Sequence, residues 1–444
     1  MKFLKFHILP VFILLFTLVN CQNVPGGSKM VCYYNSTSFI REGLGKLIIN
    51  DLEPALQFCT HLVYGWVGIN AETNKLESLN PNLDLDQGKG HFRVITSLKR
   101  KYPAVKFLLS VGGFQDPTEE DTNKYLTLLE SSAARISFIN SAHTLVKTYD
   151  FDGLDLSWQF PPNKPKKKHS SIGKLWKGFK KIFTGDAILD EKAEEHKEEF
   201  VALVRELKNA FRHEGYILSL TVLPNVNSSL FYDVPALINN IDFVNLAAFD
   251  FHTPLRYPKE ADYPAPLYEL NDRHPEHNVN FQVQYWLGLH CPATKINVGV
   301  PTYGRVWQMT SDSGLTGHPP VADTEHEAPP GLQSHTSGLY SWPEVCSKLP
   351  NPSNAHLKGE DAPVRKVGDP TKRFGSYAYR VADDDGKYGL WIGYEDPDTA
   401  GNKAGYVRAK GLGGLALFDL SYDDFRGSCS GDKFPILRAA KFRL

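Results

Sequence analysis

The chain has almost no net charge. Its 49 lysines and arginines are set against 50 aspartates and glutamates, a formal −1 over 444 residues. A general nucleic-acid binder needs a basic surplus that this sequence does not carry. A metal-binding pattern is also missing. The 15 histidines are scattered, and no His-x-x-x-His pair sits on a helical stretch with an acidic partner. No glycine-rich phosphate loop is present, because Gly411 to Gly414 leads into a strand and not a helix. No metal and no cofactor is therefore expected. Beyond the N-terminus no apolar run is long enough to suggest a transmembrane segment.

The N-terminus itself reads as a secretory signal over residues 1–21. Lys2 and Lys5 give a basic start, and Ile8 to Val19 is apolar apart from Pro10 and Thr17. That run is too short to span a bilayer. Val19 and Cys21 stand at the −3 and −1 positions of a cut before Gln22. The expected product is soluble and extracellular. Its composition, 42% hydrophobic and 22% charged, is that of an ordinary soluble protein, and aromatics at 12% suit stacking against sugar rings.

Eight short apolar runs recur with long crossovers between them: Val31–Tyr34, His61–Ile69, Lys106–Val111, Phe151–Phe160, Tyr216–Val222, Ile241–Phe249, Lys295–Val300 and Gly414–Phe418. Such a pattern predicts an α/β fold, a (β/α)8 TIM barrel of parallel strands. Helical spacing appears from Ser131 to Val146, with Ile136, Ile139 and Val146 on one face. It appears again from Ala193 to Phe211, with Phe200, Leu203, Val204, Leu207 and Phe211.

The fourth run carries the chemistry. Leu154, Leu156 and Trp158 alternate with Asp155, Ser157 and Gln159, so the polar row would point into the barrel and the apolar row outward. Branched aliphatics normally fill a barrel interior. A polar row there needs partners, since an unpaired buried polar group costs about 1–3 kcal/mol. It is either a hydrogen-bonded plug or the remnant of an acid site.

This stretch resembles the signature of family 18 glycoside hydrolases, the chitinases, in which Asp-Gly-x-Asp-x-Asp-Trp-Glu-x-Pro is the pattern. Asp152, Gly153, Asp155, Trp158 and Pro161 match it, whereas Ser157 replaces the third aspartate and Gln159 the catalytic glutamate. The resemblance implies that the proton donor is lost, because a glutamine amide releases no proton at useful pH. A well-placed general acid is worth roughly 10²- to 10⁴-fold in rate. No hydrolase activity is expected, and Asp152, Asp155, Ser157 and Gln159 are read as a degenerate site. Asp152 and Asp155 would then brace the barrel through hydrogen bonds to Ser157 and nearby backbone.

Other strand ends are similar to the same family. Ser110-Val111-Gly112-Gly113 matches its third strand and Gly299 to Arg305 its seventh. Asn245 to His252 keeps Asp250, but Phe249 stands where the family has the tyrosine that holds the reacting acetamido group. Phe418 replaces the tryptophan that floors the sugar site. Trp66, Gln159, Asp250, Trp307 and Phe418 are the candidate carbohydrate contacts. Trp158 is the weakest choice because alternation aims it outward. The resemblance also implies a disulfide between Cys32 and Cys59, which leaves Cys346 to pair with Cys429 and Cys291 as a buried thiol. It implies a small α+β domain between strands seven and eight, here residues 306–408. Two sequons, at Asn35 and Asn227, offer glycosylation. Asn227 is favoured as a loop residue, whereas Asn35 sits close to Cys32 and the barrel mouth.

One segment, residues 162–192, departs from the chitinase pattern. It begins with Lys164-Pro165-Lys166-Lys167-Lys168, and Ser171 to Phe183 has the spacing of a basic amphipathic helix. Such a helix either docks on the barrel rim or meets an anionic glycan or membrane surface. An insertion here, with glutamine in place of the acid, resembles the insect imaginal disc growth factors. That resemblance implies a secreted, inactive chitinase-like protein promoting proliferation, polarisation and motility of imaginal disc cells in cooperation with insulin, through an unidentified cell-surface receptor. The competing expectation is a lectin for chitooligosaccharide.

Overall fold

The computed structural model describes residues 27–116, 123–165 and 190–444. Eight parallel strands form the central barrel. In chain order they are β1 (Lys29–Asn35), β2 (His61–Ile69), β3 (Lys106–Gly112), β4 (Gly153–Ser157), β5 (Ile217–Val222), β6 (Phe243–Leu246), β7 (Ile296–Pro301) and, after a long excursion, β14 (Gly414–Phe418). Each pairs with its chain neighbour, β14 lies between β7 and β1, and β1 pairs with β2, so the sheet closes on itself.

Alternation along the strands separates two apolar regions. Outward residues such as Leu154, Leu156 and Trp158 join a large core between barrel and helices, while Val31, Val63, Leu108 and Ala416 belong to a smaller interior core. Trp158 is enclosed edge-on by Tyr125 and Phe138, with ring centroids 4.9 and 5.7 Å away. The helix Ala193–Phe211 buries Phe200, Leu203, Val204, Leu207 and Phe211 against this outer core. The helix Ser132–Thr148 departs from the expected face. Ile139 and Val146 are buried, but Ile136 is 56% exposed, and Phe138 and Ala142 take the inner positions. Ile139 and Val146 are two turns apart and share one stripe, whereas Ile136, two residues before Phe138, lies about 200° round the helix from it and falls outside the buried face.

Between β7 and β14 stands an antiparallel sheet. Its strands are β8 (Tyr303–Met309), β9 (Glu325–Glu327), β10 (Leu339–Ser341), β11 (Arg365–Val367), β12 (Ser376–Arg380) and β13 (Gly389–Tyr394). β8 follows β7 after one residue, Thr302, and pairs along its length with β13. Cys32 is disulfide-bonded to Cys59, joining β1 to the turn before β2, and Cys346 is bonded to Cys429. Cys291 is a buried free thiol, its pKa pushed up to about 11 by burial. The signal segment and the amphipathic helix expected over Ser171–Phe183 lie outside the described residues. Of the 162–192 segment, Pro162 makes an isolated bridge with Val226. Among the described residues no helix is long and apolar enough to cross a membrane.

Candidate functional site

At the centre of the barrel is the carboxylate of Asp155, fully buried. Ser110 donates to its Oδ2 at 2.8 Å, Ser157 at 3.0 Å and Tyr33 at 3.1 Å. Ser219 donates to Oδ1 at 2.7 Å, and Thr221 lies 3.0 Å from the same oxygen. Five hydroxyls from four strands therefore surround one carboxylate, whose two oxygens offer about four acceptor sites. The network continues across the interior: Asn297 donates to Asn245 Oδ1 at 2.9 Å, and Asn245 donates to the Tyr33 hydroxyl at 2.9 Å. Burial, followed by the negative charge of Asp155, holds the Tyr33 hydroxyl well above its ordinary pKa. It stays a neutral donor.

Asp152 immediately precedes β4. Its carboxylate accepts the amide of Phe107 at 2.7 Å and faces Lys99 at 3.2 Å, tying β4 to β3 from the side. Gln159 follows β4 at the upper end. Its Nε2 donates to the carbonyl of Gly113 at 2.8 Å and to that of Asp116 at 2.7 Å. Both protons of the amide are thus committed to the loop after β3. Asp116 in turn accepts from the Ile69 amide at 3.0 Å and the Tyr125 hydroxyl at 2.6 Å, and Lys124 lies 2.5 Å away.

The two glycines where β3 ends and the loop begins are required by their surroundings. Gly112 has φ +93 and Gly113 φ +61, a region that side chains disfavour. A Cβ on Gly112 would sit 2.3 Å from the Ser157 carbonyl, and one on Gly113 2.3 Å from the indole nitrogen of Trp66. The loop can pass this closely only without side chains.

Two of the candidate contacts, Trp66 and Phe418, come together around Tyr33. Phe418 stacks on Tyr33 with centroids 4.1 Å apart and meets Phe249 at 5.2 Å. Trp66 stacks near-parallel to Tyr33, with centroids 6.3 Å apart. Phe418 is 5% exposed and Trp66 6%, so little of either ring is open to solvent. Asp250, four residues beyond β6, is held by Arg305 through two hydrogen bonds of 2.8 and 2.6 Å and by Tyr303 at 2.7 Å. Burial, the largest single influence, pulls the Arg305 guanidinium down, but Asp250 and Tyr303 together outweigh it and raise the pKa above the ordinary value. Trp307 is elsewhere. It is fully buried in the core of the antiparallel sheet, against Trp391, and donates to the Tyr257 carbonyl at 2.9 Å. Neither its ring face nor its N–H is free to meet a sugar.

Tyr33, Asn245, Asp116 and the Tyr303–Arg305 pair were not among the expected site residues. Tyr33 could have been found, since alternation from Val31 aims it inward. Asp116 carries no such signal, because its partners come from β2, β4 and the following helix.

A closed parallel barrel, with an antiparallel sheet after its seventh strand and Asp-x-x-Asp-x-Ser-x-Gln along its fourth, defines a chitinase-type protein with glutamine at the acid position. The family model of glycosyl hydrolases family 18 matches residues 29–423. The chain belongs to that family and, within it, to the insect imaginal disc growth factors. It is 70% identical to chitinase-like protein Idgf4 of Glossina morsitans morsitans, over 96% of each chain. It is 64% identical to imaginal disk growth factor 6 of Drosophila melanogaster, over 94% of this chain and 93% of that one. Among solved structures, catalytic domain 2 of the Ostrinia furnacalis Group II chitinase superposes with a TM-score of 0.77 at 30% identity, covering 94% of this chain and 96% of that one. Human YKL-39, described as a pseudo-chitinase with retained chitooligosaccharide binding, superposes with a TM-score of 0.72 at 25% identity, covering 94% and 99%.

Proposed function

We propose that this protein is a secreted, non-catalytic growth factor that promotes proliferation, polarisation and motility of imaginal disc cells in cooperation with insulin. The observation that carries the loss of catalysis is the pair of bonds from Gln159 Nε2 to the carbonyls of Gly113 and Asp116. A side chain that spends both protons on backbone has none to give a glycosidic oxygen. Ser157 hydrogen-bonds to Asp155 and supplies no second carboxylate, and Phe249 has no hydroxyl for an acetamido group. The names of the relatives support the growth-factor reading, and the two disulfides fit an extracellular product. The partner would be a cell-surface receptor. The basic residues beginning at Lys164 make an anionic glycan a candidate co-ligand.

The test combines two assays on the secreted protein. Added to cultured imaginal disc cells with insulin, it should raise cell number, and on a fluorogenic N-acetylglucosamine oligomer it should release nothing above blank. Turnover above blank overturns the non-catalytic reading, and no response of the cells at any dose overturns the growth-factor reading.

The second reading is a chitooligosaccharide lectin, favoured by the likeness to YKL-39. Against it stands the stack of Trp66, Tyr33 and Phe418, which leaves little ring face open. Titration with N-acetylglucosamine tetramer separates the two, since saturable binding that Phe418→Ala weakens would favour the lectin.

A further inference from the structure

The amino-terminal end of the barrel, opposite the mouth, collects cations. Every barrel strand begins there, and alternation decides what its first residue faces. Lys29 has the parity of Val31 and Tyr33, His61 that of Val63, and Lys106 that of Leu108, all of them members of the interior core. Lys29, His61 and Lys106 therefore point towards the barrel axis from three neighbouring strands, β1, β2 and β3, and His61 stands opposite Lys106 in the register. Lys295, just before β7, reaches the same end and donates to the carbonyls of Ile238 and Ile241. Phe243 floors the group: the Lys29 ammonium lies 5.8 Å from its ring centre, and the His61 ring 5.0 Å.

The charges here do not balance. The one carboxylate acting on Lys29, His61 and Lys295 is Asp242. It is already held by Lys208 at 2.7 Å and accepts the Leu218 amide at 2.8 Å. Lys29, Lys106 and Lys295 make no ion pair among the described residues. Asp152, just before β4, faces Lys99 at 3.2 Å and the Phe107 amide, and the Cys291 thiol beside Lys295 is neutral at pH 7, with its pKa at about 11. Burial and then Lys295 hold the Lys29 ammonium below its ordinary pKa, with Asp242 acting in the opposite sense. Burial, then Lys29 and Lys106, bring His61 down to about 4, again against Asp242. Half-buried cations that repel one another are costly unless an anion joins them.

We propose that this end of the barrel binds the phosphate or sulfate group of a small ester, with Lys29, Lys106 and Lys295 around it. A tetrahedral oxyanion offers three oxygens to three ammoniums that arrive from different strands, and its fourth oxygen carries the rest of the ligand out to solvent. Each ammonium has three protons to donate. Lys29 spends one on the Thr294 carbonyl at 3.1 Å and Lys295 two on the carbonyls named above, whereas exposed Lys106 spends none on the described residues. A carboxylate has two oxygens and a single charge, and suits three ammoniums less well. The site shares no residue with the barrel mouth.

Calorimetric titration of the full secreted chain at low salt with glucose 6-phosphate, glucose 6-sulfate and glucose tests this. At least one ester should bind saturably with one site per chain, and glucose should not bind. Saturation by one ester alone supports the site and tells whether phosphate or sulfate occupies it. Added sodium chloride should weaken the binding. Lys106→Gln, at an exposed position where folding is not at stake, should weaken the bound ester about tenfold or more, the worth of a charge-assisted hydrogen bond, and Lys29→Gln should do the same. Lys259→Gln, in the loop that follows β6, should leave the affinity unchanged. Bound ester should also protect Lys29 and Lys106 from amine acylation, read by peptide mass. Failure of both esters to saturate overturns the proposal, as does full affinity in Lys106→Gln. An equal loss in Lys259→Gln would show attraction to the chain's charge at large and overturn it too.

Discussion

The Gln159 amide donates to the Gly113 carbonyl at 2.8 Å, fastening the end of β4 to the loop after β3. The residue at the acid position has become a strut. Replacing it with glutamate puts a carboxylate against two carbonyl oxygens, Gly113 and Asp116. Only the protonated form can donate there, and to one of them. Gln159→Glu should therefore not restore hydrolysis, and should cost about 1–3 kcal/mol at neutral pH through unsatisfied buried groups. The environment raises the new carboxyl's pKa above its unfolded value, so the neutral form is favoured in the fold. The variant should then approach wild-type stability below about pH 4 and lose ground as pH rises through the raised value. Thermal melts from acid to neutral pH check this. An active variant, or one equally stable relative to wild type at every pH, refutes it.

Asp155 should matter to folding and not to signalling. Asp155→Ala leaves the hydroxyls of Ser110, Ser157, Ser219 and Thr221 facing an empty space where the carboxylate accepted their protons. The loss should be about 3 kcal/mol or more in chemical denaturation, since several buried donors lose one acceptor together. Asp155→Asn brings its own donors among donors and should fall between. If Asp155→Ala unfolds at the wild-type denaturant midpoint, the carboxylate does not hold the barrel.

The barrel was legible because parallel strands buried on both faces write short apolar runs, and all eight runs overlap observed strands. Two were read too long. Phe151–Phe160 contains β4 only as Gly153–Ser157, and Ile241–Phe249 contains β6 only as Phe243–Leu246. Apolar residues continue past the ladder there because the chain turns over a buried mouth. The inward row of Asp155, Ser157 and Gln159 was legible from period alone. What it bonds to was not, since its partners Tyr33, Thr221 and Gly113 come from other strands and loops. Trp307 misled for a related reason. Nothing in Pro301-Thr302-Tyr303 announces that one residue separates a barrel strand from β8, which belongs to another sheet with its own core.

Acid should weaken the fold through His91. This ring is buried, shares a 2.8 Å hydrogen bond with the Tyr34 hydroxyl, and touches Phe39 and Tyr64. Burial, then Lys89, lowers its pKa from 6.5 to about 4. A folded value below the unfolded one means that the neutral ring is favoured in the fold. Its stabilisation is present above pH 6.5 and is lost as pH falls towards 4. The slope contributed by one such group is at most about 1.4 kcal/mol per pH unit. His91→Gln, which can still bond Tyr34 but does not titrate, should flatten the stability profile in that window. An unchanged profile would show that His91 is not the group responsible.

The two sequons should behave oppositely. Asn35 is buried at the end of β1, and its side-chain oxygen accepts the amide of Thr37 at 3.1 Å and its hydroxyl at 2.8 Å, capping the turn Ser36–Phe39. Asn227 makes the same kind of cap over Ser229 but is only half-buried, beside the exposed Ser229 and Leu230. A glycan is bulky and needs solvent on its side of the amide. Asn227→Gln should therefore lower the mass of the secreted protein by one glycan, whereas Asn35→Gln should leave the mass pattern unchanged. Asn35→Gln should instead cost about 1 kcal/mol, because the longer side chain cannot make the same cap. Intact-mass spectrometry with and without an amidase that removes N-glycans reads both outcomes. A glycan on Asn35 would require that side chain to be open to solvent in the folded protein, in conflict with the packing at the end of β1.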